Sequence, residues 1–238
     1  MVLKDGTDKE GRISAVSQKL AKIGEILDAP SEDIAGAVRT AVEAIGRVHF
    51  VPMVRQRVSI VSDELMPEGG KYRWERETGL PLDIRLNPKN DHLELTAVLE
   101  IGHLLDHQAI GMPGKFASVG HPNLEDWRRA IDSSRCLQKL EDLRAAGAIP
   151  YRFADGLIRN VNVGRIAGYL LEPPELFSRS YAQFIVEQSG HDALTAQLHG
   201  FNRVENPSSV VPYYWHDDDF APIAAAFGRL IIELGWKR

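Results

Sequence analysis

The side chains with the most chemistry to offer lie in one run, Leu99-Glu100-Ile101-Gly102-His103-Leu104-Leu105-Asp106-His107. On a helix, positions i and i+4 stand one above the other, so residues 99 and 103 share a face. In the His-Glu-x-x-His arrangement these two positions hold zinc, and the intervening glutamate takes a proton from the metal-bound water. Glu100 and His103 occupy the glutamate and second-histidine positions here. Position 99 is leucine, which has no lone pair to give, so the motif lacks its first ligand. A second register is open, because His103 and His107 are also four apart, with Asp106 between them as in the inverted pattern His-x-x-Glu-His. Aspartate is one methylene shorter than glutamate and reaches a metal-bound water poorly, which favours the first register. His107 is then expected as a polar residue near the cleft rim, and Asp106 as a partner that orients His103. Gly102 suits close packing of this helix against a neighbour.

With histidine at 99 the run would read His-Glu-Ile-Gly-His-Leu-Leu-Asp. That string resembles the active-site helix of zincin-type metallopeptidases with a glutamate third ligand, the anthrax lethal factor type and those associated with phages and mobile elements. Such families carry a second motif downstream, a glutamate at a helix start followed by an apolar and aromatic run. Pro174-Glu175-Leu176-Phe177-Ser178-Arg179-Ser180-Tyr181 is similar to it. The resemblance implies Glu175 as third zinc ligand beside His103, Glu100 as general base and Tyr169 as the hydroxyl that stabilises a transition-state oxyanion. It covers roughly residues 71 to 188, and the segment from Tyr213 to Ile223 is similar to the tail of the phage-associated members. It implies zinc as cofactor, a protein or peptide as substrate, and hydrolysis of a peptide bond. Leu99 predicts that this activity is impaired or lost, since catalytic zinc normally has three protein ligands and an open position. The alternative is a catalytically dead zincin fold that serves as a phage- or toxin-associated interaction module.

The elements that must position these residues are legible from spacing. Ile13, Val16, Leu20, Ile23 and Leu27 predict one helix, and Ile34, Val38, Val42 and Ile45 a second that begins after Ser31. Alternation over 57–62, 71–75 and 81–86 predicts three strands of a small antiparallel sheet leading into the helix around residue 100. That helix is expected from Leu93 to Ile110, another from Asn123 to Ala146 with Gly147 as its stop, a third over Glu175–Gln188, and a last from Asp217 to near Gly235. Residues 149–171 carry no clear period. The whole reads as an α+β fold, with residues 1–50 a helical extension of a domain spanning 51–238.

Composition narrows the partners. A net charge of −5 without any basic run argues against a nucleic-acid binder. The single cysteine, Cys136, excludes an intrachain disulfide and a cysteine-based zinc site. No segment has the apolar length of a membrane span or a secretory leader, so the expected location is cytoplasmic, or in association with a virion or secretion system.

Overall fold

The computed structural model describes residues 20–153, 155–201 and 210–238. It opens with a two-residue strand, β1 (Leu20–Ala21), and a 3-10 turn at Ile23–Glu25. The helix expected here is absent from residue 20 onward: Leu20 and Ala21 pair antiparallel with Pro52 and Val51, and Leu27 bridges to Val58. Ile23, Ile26 and Leu27 are buried nonetheless, because a 3-10 turn followed by extended chain also brings apolar residues three and four apart to one side. Ile13 and Val16 lie outside the described residues.

The second expected helix forms as α1 (Glu32–Val48), with Glu32 and Asp33 in the first turn, where the helix dipole favours negative charge. Ser31 precedes it, but its hydroxyl donates to the Asp33 carboxylate (2.7 Å) instead of capping an amide. Ile34, Val38, Ala41 and Ile45 make its buried stripe. Strand β2 (Val51–Pro52) follows and pairs with β1.

Three further strands, β3 (Ser59–Ser62), β4 (Gly70–Trp74) and β5 (Pro81–Leu86), form a sheet in the order β3-β5-β4. β4 pairs antiparallel with β5, but β3 runs parallel to it, which corrects the purely antiparallel expectation. The connection from residue 63 to 69 carries the chain from one side of β5 to the other. Alternation cannot foretell this, since it reads the same beside a parallel or an antiparallel neighbour.

The central element is α2 (Leu93–Gln108). From Leu95 to Gln108 every residue except Thr96 and Leu99 is buried, as expected of a helix enclosed by protein on nearly all sides. The helix expected over 123–146 is two: α3 (Glu125–Asp132), preceded by a 3-10 turn at Pro122–Leu124, and α4 (Arg135–Ala146). The break is built from capping groups. Ser134 Oγ accepts from the Leu137 amide (3.2 Å), while the Asp219 carboxylate takes the Arg135 and Cys136 amides (2.9 and 3.0 Å).

The unassigned stretch holds a hairpin, β6 (Ala148–Arg152) and β7 (Ile158–Asn162), running into α5 (Val163–Leu170). Next come α6 (Pro173–Ser189), which starts at its proline pair, α7 (Asp192–Phe201) and α8 (Asp217–Glu233). No helix is expected over α7 from the sequence pattern. One hydrophobic cluster joins Ile45 of α1, Ile84 of β5, Leu104 of α2, Phe177 of α6 and Phe227 of α8. The fold is therefore mixed α+β, mostly helical with small sheets. No helix among the described residues is long and apolar enough to cross a membrane.

Candidate functional site

α2 and α6 lie against each other at Gly102. A Cβ there would stand 3.0 Å from Tyr181 Cδ1 and 3.2 Å from Ser178 Cα, so only hydrogen at this position permits the approach without displacement. This close crossing brings His103 of α2 to Glu175 in the first turn of α6, with Nε2 and Oε1 3.2 Å apart. Tyr169, on the last turn of α5, donates its hydroxyl to the same Glu175 oxygen. His103 and Glu175 are buried, whereas Tyr169 is half exposed and gives the cluster its opening to solvent.

Glu100 is buried beside them and turns toward the sheet, where its Oε2 accepts from the Tyr72 amide of β4 at 2.6 Å. Gly70, on the same strand, makes room for it: a Cβ at 70 would come within 2.8 Å of Glu100 Oε1. Glu100, His103, Glu175 and Tyr169, the set the resemblance implies, thus lie together. Leu99 is half-buried and packs on the hydrophobic core.

The charges are coupled. Burial pushes the Glu100 carboxyl up to about 7, with the Glu175 charge adding to the rise and that of His103 opposing it. For Glu175, burial alone would raise the carboxyl. The hydrogen bond and charge of His103, with the Tyr169 hydroxyl, outweigh it and hold Glu175 below its ordinary value. Burial likewise works against the charged form of His103, but the Glu175 hydrogen bond and the surrounding carboxylates raise it. His103 and Glu175 therefore favour an ion pair. Burial, then the Glu175 charge, raises the Tyr169 hydroxyl above its usual range.

Two expectations are corrected. Asp106 does not hold His103: both its oxygens are taken by Ser118, from the amide at 2.8 Å and the hydroxyl at 2.6 Å. His107 is not at a rim. It is 1% exposed, its Nδ1 meets the Tyr72 hydroxyl at 2.8 Å, and its ring packs against Trp74 and Phe116. With Asp106 and His107 each occupied away from His103, the inverted register gathers no ligand set.

Three participants carry no signal in the sequence that names their role. Tyr72 supplies both the amide under Glu100 and the hydroxyl on His107; the alternation of β4 marks it as inward-facing but not what it meets. Ser118 had no signal, as its contact depends on a loop fold. Arg179 is one turn beyond Glu175 and nearly fully buried, with Nη1 on the Tyr213 carbonyl (2.6 Å), Nη2 on the Leu170 carbonyl, and the guanidinium over the Trp215 ring. It fastens the end of α5, and so the Tyr169 backbone beside it, to α6. An arginine inside an apolar helical run was the available signal, since such a residue must find acceptors.

The set does not fit a catalytic zinc. His103 Nε2 and the Glu175 oxygen that a metal would take are turned on each other and share a proton, and position 99 offers hydrocarbon. Among the described residues no group of three or more His, Cys, Asp or Glu side chains is arranged to hold a metal ion. Compared with family models, with curated proteins and with solved structures, the chain matches none.

Proposed function

We propose that this chain is a zincin-type metallopeptidase domain of the glutamate-ligand kind that lacks a catalytic metal and acts as a protein- or peptide-binding module. The observation that carries this reading is the closed contact of His103, Glu175 and Tyr169, with leucine in place of the missing ligand. Glu100 and His103 on α2 and Glu175 on α6 follow the chain order of the two motifs and lie together, which supports the reading. Glu100 would act on a metal-bound water if a metal were held; without the metal a water keeps a pKa near that of bulk water and the carboxylate cannot activate it. What remains is a cluster of buried polar groups that reaches solvent at the half-exposed Tyr169, which suits recognition rather than hydrolysis.

Metal content decides the matter. Protein produced in zinc-supplemented medium and measured by elemental analysis is expected to carry far less than one zinc per chain. Leu99→His is expected to carry one, and to gain peptide hydrolysis that Glu100→Gln in the same background removes. Stoichiometric zinc in the unaltered chain, with chelator-sensitive peptide cleavage, overturns the metal-free reading. A Leu99→His protein that is folded but binds no zinc overturns the zincin assignment itself.

A further inference from the structure

The β6–β7 hairpin is a two-stranded ribbon separate from the other sheets, with no third strand on either side among the described residues. Its pairing sets two faces. Ile149, Val161 and Tyr151 lie on the face turned to the molecule and are half-buried, while Pro150, Arg152, Ile158 and Asn160 lie on the other and are exposed. Leu157 and Ile158 near the tip are 55% and 59% exposed, the reverse of what such side chains favour. A ribbon of this kind is marginal by itself and gains from a further strand.

The two edges differ. The Phe153 amide donates to the Leu157 carbonyl (2.9 Å), which fixes the alternation of the ladder. Tyr151 and Ile149 then face their partners Arg159 and Val161 in hydrogen-bonded pairs, and Pro150 and Arg152 direct their backbones outward. Pro150 has no amide to offer, so the β6 edge is blunted at its centre. On β7 the outward groups are the amides and carbonyls of Ile158 and Asn160, with no proline among them. That edge is open.

Charge indicates what would pair with it. Between residues 144 and 165 the chain has four arginines and one aspartate, a local net charge of +3 in a chain of net charge −5. Asp155 is bound to Arg159 (2.8 Å), and among the described residues Arg144, Arg152 and Arg165 have no carboxylate within ion-pair reach. Arg159, on β7 and bound to Asp155 and over the Phe153 ring, and Arg152, on β6, lie on opposite faces of the ribbon, so each face carries a guanidinium. We propose that the open β7 edge, flanked by these arginines and by exposed Leu157 and Ile158, binds an extended acidic segment of a protein partner as a third strand. The backbone groups give the pairing, and the arginines select carboxylates, for which their planar fork is suited. Nothing in this proposal depends on the state of the His103–Glu175 contact.

The test uses the full chain with a ten-residue peptide alternating glutamate and valine, its lysine–valine twin, and a ten-nucleotide thymidine strand. Anisotropy titrations at low salt are expected to show the glutamate peptide binding about tenfold more tightly than the lysine twin. Arg152→Gln/Arg159→Gln should weaken it by a similar factor, with an unchanged circular dichroism spectrum. Residue-resolved hydrogen exchange is expected to show new protection at the Ile158 and Asn160 amides, with little change at Arg159, whose amide is already paired. Binding without protection of those two amides overturns the strand-addition geometry. Equal binding of the two peptides, or no binding of either, overturns the acidic partner, as does tighter binding of the oligonucleotide.

Discussion

His49 is a buried neutral histidine whose contribution to stability can be separated from every other titration in the chain. It is 1% exposed and stacks on Trp236 with ring centroids 5.7 Å apart. Its Nδ1 lies 2.6 Å from the Phe50 carbonyl, which can only accept, so Nδ1 carries the proton. Nε2 then accepts from the Tyr181 hydroxyl at 3.0 Å. Burial lowers the ring from 6.5 to about 4. The unfolded chain takes up a proton at about 6.5, the folded one at about 4, so stability from this group is complete above the upper value. It falls as the pH drops through that window and is gone below the lower one. A shift of about 2.5 units corresponds to about 3 kcal/mol. Urea denaturation followed by circular dichroism at pH 7.5, 5.5 and 4 measures it, comparing the chain with His49→Gln. The gap in unfolding free energy between the two should be widest at pH 7.5 and should shrink by about 3 kcal/mol at pH 4. Glu100 and Asp106, whose carboxyls burial raises to about 7 and about 6, act in the opposite sense but are present in both proteins and cancel. Parallel stability curves across this range would refute the reasoning, as would a folded-state His49 ring that titrates near its ordinary value by NMR.

Gly102→Ala places a methyl against Tyr181 Cδ1 and the Ser178 backbone, while the alanine gains helix propensity of about 1 kcal/mol; a net loss of about 1–2 kcal/mol in urea denaturation is expected. A neutral or stabilising result would mean that α2 and α6 are not in this contact. Arg179→Lys leaves an ammonium that cannot serve both the Leu170 and Tyr213 carbonyls, and is expected to cost about 2–3 kcal/mol. Loss below about 0.5 kcal/mol would show that these carbonyls need no such partner.

Periodicity reveals elements, not the company they keep. α1 and the first strands stood out because each has one wet face and one dry face. α2 stood out through its polar residues, for a helix buried on nearly all sides has little periodic contrast of its own. The hairpin was hidden because its outer face mixes Pro150, Arg152, Ile158 and Asn160, and no strand period survives such a mixture. α3 and α4 read as one helix for a different reason. Their apolar spacing continues through Ser133 and Ser134, and the break depends on Asp219, more than eighty residues away. The same distinction holds at the site. Glu100 and His103 are identifiable as types at a helical spacing, and Tyr169 and Glu175 only through the resemblance of the downstream motif. Asp106 and His107 were misplaced, because their partners Ser118 and Tyr72 arrive from elements whose arrival no local pattern announces.

The cluster has a further consequence for the Leu99→His variant. A buried pair of carboxylates needs positive charge nearby, and in a zincin the metal supplies it. Here Glu175 is served by His103 and Tyr169, while Glu100 has the Tyr72 amide and a carboxyl that burial raises to about 7. The site thus meets its electrostatic needs with protons and hydrogen bonds. Zinc entering the variant must break the His103–Glu175 contact and expel the proton held between them. Its apparent affinity should therefore rise steeply with pH, by more than tenfold from pH 6 to 8, since metal and protons compete for the same lone pairs. Competition titrations with a chromophoric chelator at the two pH values measure this directly. A pH-independent zinc affinity would mean that the donors stand free in the unliganded protein, contrary to the 3.2 Å contact between them.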